Sequence, residues 1–125
     1  MKLAVPVLRS NNSPQRSSSS SRVYFKVHRK NNVEILALCD ESLLGQEIFN
    51  EKARMRIPVD FYRGQEIEAQ DALQLMRNYA NINVVGSVLE LGIRKNLINE
   101  DAVLWFSTLE GKKIPHLLIF SIPPL

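Results

Sequence analysis

The sequence predicts a small α+β domain on three observations: period-2 apolar runs near both ends, one strongly amphipathic stretch between them, and a capping pattern that announces a second helix. The expected architecture is a small mixed or antiparallel sheet of two terminal hairpins plus a middle strand. Two helices pack on it, and a disordered N-terminal tail precedes it. A chain of 125 residues, 45% of them hydrophobic, has material for one core, so residues 22–125 are expected to form a single domain.

Residues 1–21 are expected to be disordered, because SNNSPQRSSSSS over residues 10–21 offers nothing to offset the entropy of ordering it. Order begins where Val23, Phe25 and Val27 alternate with Tyr24, Lys26 and His28. VEILALC repeats the pattern, and Arg29-Lys30-Asn31-Asn32 between the two runs tolerates left-handed geometry, so residues 22–39 read as a hairpin with a basic tip. DESLLGQEIF predicts a helical turn capped by Asp40 or Ser42 and broken at Gly45. An extended segment through Arg54, Met55, Arg56 and Ile57 follows, and Pro58 puts that strand at an edge or at its own end. If the strand holds, Arg54 and Arg56 emerge on one face.

From Glu68 to Ala80 the apolar residues Ala69, Ala72, Leu73, Met76, Tyr79 and Ala80 fall at steps of three and four, the signature of an amphipathic helix. After NINVV and Gly86, Ser87 and Glu90 have capping-box spacing for a helix over 88–96, with Asn96 as its left-handed terminus. VLWFS and IPHLLIFSI, joined by a turn over 110–113, read as the terminal hairpin.

The net charge of +3 is unevenly placed. Residues 1–22 hold Lys2, Arg9, Arg16 and Arg22 with no acid, leaving 12 bases against 13 acids for the rest. A basic arm suits a phosphate-bearing partner. It is equally the composition of a tail without a role, or of an upstream start codon. The apolar stretch Leu3–Leu8 is too short to span a bilayer, is interrupted by Pro6, and lacks a small-residue cleavage site, so neither membrane anchor nor secretory signal is expected and the cytoplasm is.

Chemistry-bearing motifs are missing. The five glycines are scattered, Cys39 stands alone in an apolar run, and there is no metal-ligand spacing, so no metal, no cofactor and no catalytic residue are expected. His28 and His116 lie on opposite terminal hairpins that could share a sheet, and His116 reads better as a structural histidine than as a general base. Glu66, Glu68 and Asp71 read as charges favouring a helix N-terminus. Trp105, Phe106 and Phe120 read as core. Tyr24 shares a strand face with Lys26 and His28, and an aromatic among bases on an open sheet face is what single-stranded RNA binding uses.

Four blocks in order, YFKVHRKNN, ALCDESLLGQEIF, NVVGSVLELGIRKNLI and IPH, resemble the archaeal family known as domain of unknown function 424, over residues 22–122. The tail lies outside the resemblance, and Lys113-Ile114 stand where the family tends to have a glycine followed by valine. The resemblance implies a cytoplasmic protein described as RNA-binding and connected with translation, and it implies no enzyme. Together with the basic segments this sets the leading expectation. It is a non-catalytic RNA-associated protein on the ribosome or a translation complex, contacting RNA through Tyr24, Lys26, His28, Arg29, Lys30, Arg54 and Arg56, with tail residues Arg9, Arg16 and Arg22 assisting. The rival expectations are a protein-interaction adapter, suggested by the apolar residues on both faces of the Leu36–Leu38 strand, and an undetected enzyme using His116 or a carboxylate.

Overall fold

Leu36, Ala37, Leu38 and Cys39 are all fully buried, so the strand that carries them has cover on both faces. The computed structural model describes residues 22–121 and shows how that cover is supplied. Strands β1 (Val23–Lys30) and β2 (Val33–Asp40) pair antiparallel along their whole length. Asn31 and Asn32, at φ 53° and 67°, close them in the left-handed pair that a two-residue hairpin turn requires. The expected basic-tipped hairpin is therefore present.

The expected middle strand is itself a hairpin, β3 (Glu47–Phe49) with β4 (Arg54–Arg56). Helix α1 (Val59–Tyr62) and strand β5 (Gln65–Ile67) follow, then α2 (Ala69–Met76), β6 (Ile82–Val85), α3 (Ser87–Arg94), β7 (Leu104–Ser107) and β8 (Lys113–Ile119). Short 3-10 turns occupy Glu41–Leu43 and Glu100–Ala102. All eight strands form one curled, half-barrel mixed sheet in the order β4-β3-β7-β8-β6-β2-β1-β5. Only the β2–β6 pair is parallel among the described residues.

One face carries Val23, Leu36, Leu38, Val84 and Leu117 against Ala72 and Leu73 of α2 and Val88 and Leu89 of α3. On the other, Ala37, Cys39, Val85, Phe106 and Ile114 meet Leu43, Ile48, Ile57 and Tyr62. The two edge strands, β4 and β5, are successive in the chain, so the segment around α1 carries the chain from one sheet edge to the other and supplies this second cover. Each fully buried leucine or isoleucine in these clusters contributes roughly 1.5–3 kcal/mol.

Several expectations change. β6 was not foreseen as a strand, because Asn81 and Asn83 interrupt its apolar pattern. Helix α2 ends at Met76 and not at Ala80; the amides of Arg77, Asn78 and Tyr79 instead bond back three residues, in tightened turns. Phe120, expected in the core, is exposed. The tail expected over 1–21 lies outside the described residues. No helix among the described residues is long and apolar enough to cross a membrane.

The capping box at Ser87 is also replaced. Gly86 is the N-cap of α3, with φ 106°, and Ser87 is the first helical residue. The cap comes from the neighbouring strand: Asp40 accepts from Ser87 N at 2.9 Å and from Ser87 Oγ at 2.6 Å. Parallel pairing explains it, since the C-terminal end of β2 then lies beside the start of the helix that follows β6. A side chain at position 86 would come within 2.6 Å of Asp40 Oδ2, so glycine is required by space as well as by φ. Burial raises the Asp40 pKa above the ordinary carboxyl value, against the opposing pull of the two Ser87 hydrogen bonds.

Asp40→Ala should therefore lower unfolding free energy by about 1–3 kcal/mol in urea titration, and Asp40→Asn, which keeps one acceptor, by less. A loss below about 0.5 kcal/mol for Asp40→Ala would show that the cap contributes little.

Candidate nucleic-acid interface

At the β1–β2 tip the sheet ends in a cleft of about 770 Å³, with Arg29, Lys30, Asn31 and Asn32 along one side and Asn78 and Tyr79 of the α2–β6 loop along the other. Its size lies within the roughly 300–1,000 Å³ typical of ligand clefts. The floor is fixed by Asn81, which is buried. Its Nδ2 donates to Glu34 O at 3.1 Å and its Oδ1 accepts from Ser121 N at 2.6 Å, while its own carbonyl accepts from Leu36 N. This one side chain ties β2, β6 and the end of β8 together. Glu34, the single acid lining the cleft among the described residues, is ion-paired with Arg29. The cleft thus presents Lys30 and a set of amides to solvent.

The other sequence-derived residues are dispersed. Tyr24 is buried and not on an open face: its hydroxyl donates to Glu41 at 3.3 Å, and the Arg63 guanidinium lies 5.9 Å from its ring. Lys26 Nζ donates to Asp60 O at 2.8 Å. His28 stacks on Phe61 with ring centroids 4.3 Å apart, and its Nε2 donates to Phe61 O at 2.7 Å. The α1 segment, which sequence reasoning did not place, covers all three. Arg54 and Arg56 do emerge together from β4, as expected, but five strands intervene between β4 and β1. Arg54 pairs with Glu47 at 3.3 Å and lies over the Phe49 ring, and Arg56 donates to Gly45 O at 2.8 Å. Arg22, at the end of β1 opposite the tip, pairs with Glu66 at 3.4 Å. Arg9 and Arg16 lie outside the described residues.

A second cluster sits on the face that α1 covers only in part. Asn83 Oδ1 accepts from Tyr62 Oη at 2.7 Å and from His116 Nε2 at 2.9 Å. A carbonyl oxygen can only accept, so His116 carries its proton on Nε2 and keeps a lone pair on Nδ1. The two histidines do not meet, since β6 and β2 separate β8 from β1. Leu104 pairs beside His116 and Leu118 beside Asn83, and with Phe120 they form an apolar margin, each more than half exposed. Tyr62 and Asn83 gave no signal in the sequence beyond an asparagine in an apolar run. Among the described residues no group of three or more His, Cys, Asp or Glu side chains could hold a metal ion.

A profile of the family described as "protein of unknown function (DUF424)" matches residues 27–118. The chain belongs to this family. The matched DUF424 span contains the Tyr62–Asn83–His116 cluster and every lining residue of the tip cleft except Ser121, and it begins after Tyr24 and Lys26. A crystal structure of an uncharacterized conserved protein from Methanopyrus kandleri is similar to this DUF424 chain, at 27% sequence identity and a TM-score of 0.54. The match covers 83% of this chain and 97% of that one. No curated protein matches.

Burial lowers the His116 pKa below its usual 6.5. The folded state thus binds this proton less readily than the unfolded chain does, so the associated stability is complete above about pH 6.5 and is lost as pH falls through the folded value. The melting temperature should drop between neutral pH and about pH 5.5, and His116→Gln, which keeps a donor but does not titrate, should show a smaller drop. Equal drops for the two proteins would remove His116 from the account.

Proposed function

We propose that this protein is a non-catalytic, cytoplasmic RNA-associated protein, working on the ribosome or another translation complex, and that it engages RNA at the β1–β2 tip. The supporting observation is the cleft itself: amides and Lys30 line it, and the Glu34 carboxylate in it is paired with Arg29. Amides supply donors and acceptors for base edges, while exposed cations hold phosphates. The basic N-terminal segment adds to the attraction. The setting in translation follows from the family resemblance alone.

The exposed Leu104, Leu118 and Phe120 favour a second reading, a protein-interaction adapter. Leu36 and Leu38, which first suggested it, are core residues of β2 and do not bear on it.

Sedimentation of cell extract separates the two. RNA association predicts co-migration with ribosomal particles that is lost on nuclease or salt treatment; migration independent of both would favour the adapter. For purified protein and RNA, log affinity should fall with log salt at a slope of roughly −0.7 per phosphate contact on a single strand. Arg29→Ala with Lys30→Ala should flatten that slope by about one to two contacts' worth, and Arg54→Ala with Arg56→Ala by less. A salt-independent affinity would sink the proposal.

A further inference from the structure

Building on the RNA reading, we infer that the tip cleft captures an unpaired base, so that the protein is selective for single-stranded over double-stranded RNA. The base stacks on Tyr79 and is hydrogen-bonded by the amides of Asn32 and Asn78, while Lys30 holds a flanking phosphate.

Four observations carry this. First, Arg29 and Lys30 stand along one side of a concavity and not on a flat or convex surface, whereas a duplex keeps its bases stacked inside and presents a convex backbone. Second, the α2–β6 loop contributes an aromatic residue, Tyr79, to the lining of the cleft. Tyr79 is half-buried, with part of its side chain packed on the helix-face core, which pre-positions the ring at little cost in rotamer entropy. Third, the amides divide into two kinds. Asn81 is used up in the floor, but Asn31, Asn32 and Asn78 are exposed and make no side-chain hydrogen bond to other described residues. They remain available to a base edge. Fourth, Tyr79 and Ala80 also line a second depression of about 200 Å³, which includes Arg77, Leu97 and Ile119. A strand leaving the cleft across Tyr79 therefore meets another cation beside an apolar surface, the pairing of features that suits a continuing single strand.

Full-length protein would be titrated with short uridine and adenine homopolymer RNAs and with a duplex of matched phosphate number, using Tyr79→Leu, Tyr79→Phe and Arg29→Ala/Lys30→Ala variants whose folding is checked by circular dichroism. Leucine keeps the apolar packing and removes the π-face; phenylalanine keeps both. The expected result is single-strand binding at least about tenfold tighter than duplex binding, weakened roughly 5- to 100-fold by Tyr79→Leu and preserved in Tyr79→Phe. Equal binding of single strand and duplex, with Tyr79→Leu as good as wild type, would overturn base capture and leave the RNA reading intact, provided Arg29→Ala/Lys30→Ala still weakens both. Failure of every RNA to bind would overturn the RNA reading as well.

Discussion

The fold depends on covering β2 on both sides, and the side chains of that strand divide the work. Leu36 and Leu38 face the helices, where α2 and α3 offer a broad apolar stripe. Ala37 and Cys39 face the opposite way. Their small side chains leave room for Tyr62, a large residue that is almost wholly buried in the same cluster. That packing requires the chain between β4 and β5 to run across the sheet, and it turns what would be a solvated basic face on β1 into a covered one. The interactions of Lys26 and His28 with the carbonyls of Asp60 and Phe61 follow from the same crossing.

What the crossing leaves uncovered is where function can reside. Among the described residues such regions include the tip beyond the reach of α1 and the β7–β8 margin of Leu104, Leu118 and Phe120. The tip is polar and cationic and is stiffened by the Asn81 bonds, so it is suited to an ordered polar ligand. The β7–β8 margin is apolar and lies beside the Tyr62–Asn83–His116 hydrogen bonds. Those bonds hold the tyrosine hydroxyl and the imidazole inside a half-buried region without an unpaired charge, since burial keeps the imidazole pKa low and the phenol pKa high.

Much of this was legible in the sequence, where local chemistry settled the outcome. The Asn31–Asn32 turn, the left-handed Asn96 at φ 61°, the edge position of the Pro58-terminated strand and the terminal hairpin follow from backbone preferences that act within a few residues. The parts that were not legible arise from contacts distant in sequence. Ser87 has capping-box spacing, yet Asp40, 47 residues earlier, takes the role because parallel pairing brings it there. Tyr24, Lys26 and His28 share a face in the pattern, as expected, but whether that face meets water depends on α1, whose four residues carry no periodicity. Asn81 and Asn83 look like loop residues in sequence. In the structure they flank and occupy a central strand, each stabilised by partners from other elements. The cleft joins two loops about 45 residues apart, so no single motif could announce it.

On the proposed function, RNA binding is concentrated at the tip. Ultraviolet crosslinking of bound RNA, mapped to residues by mass spectrometry, tests it most directly. Crosslinks confined to Asn31–Asn32 and Asn78–Tyr79 are the predicted result, and crosslinks at Leu104, Leu118 or Phe120 with none at the tip would contradict it.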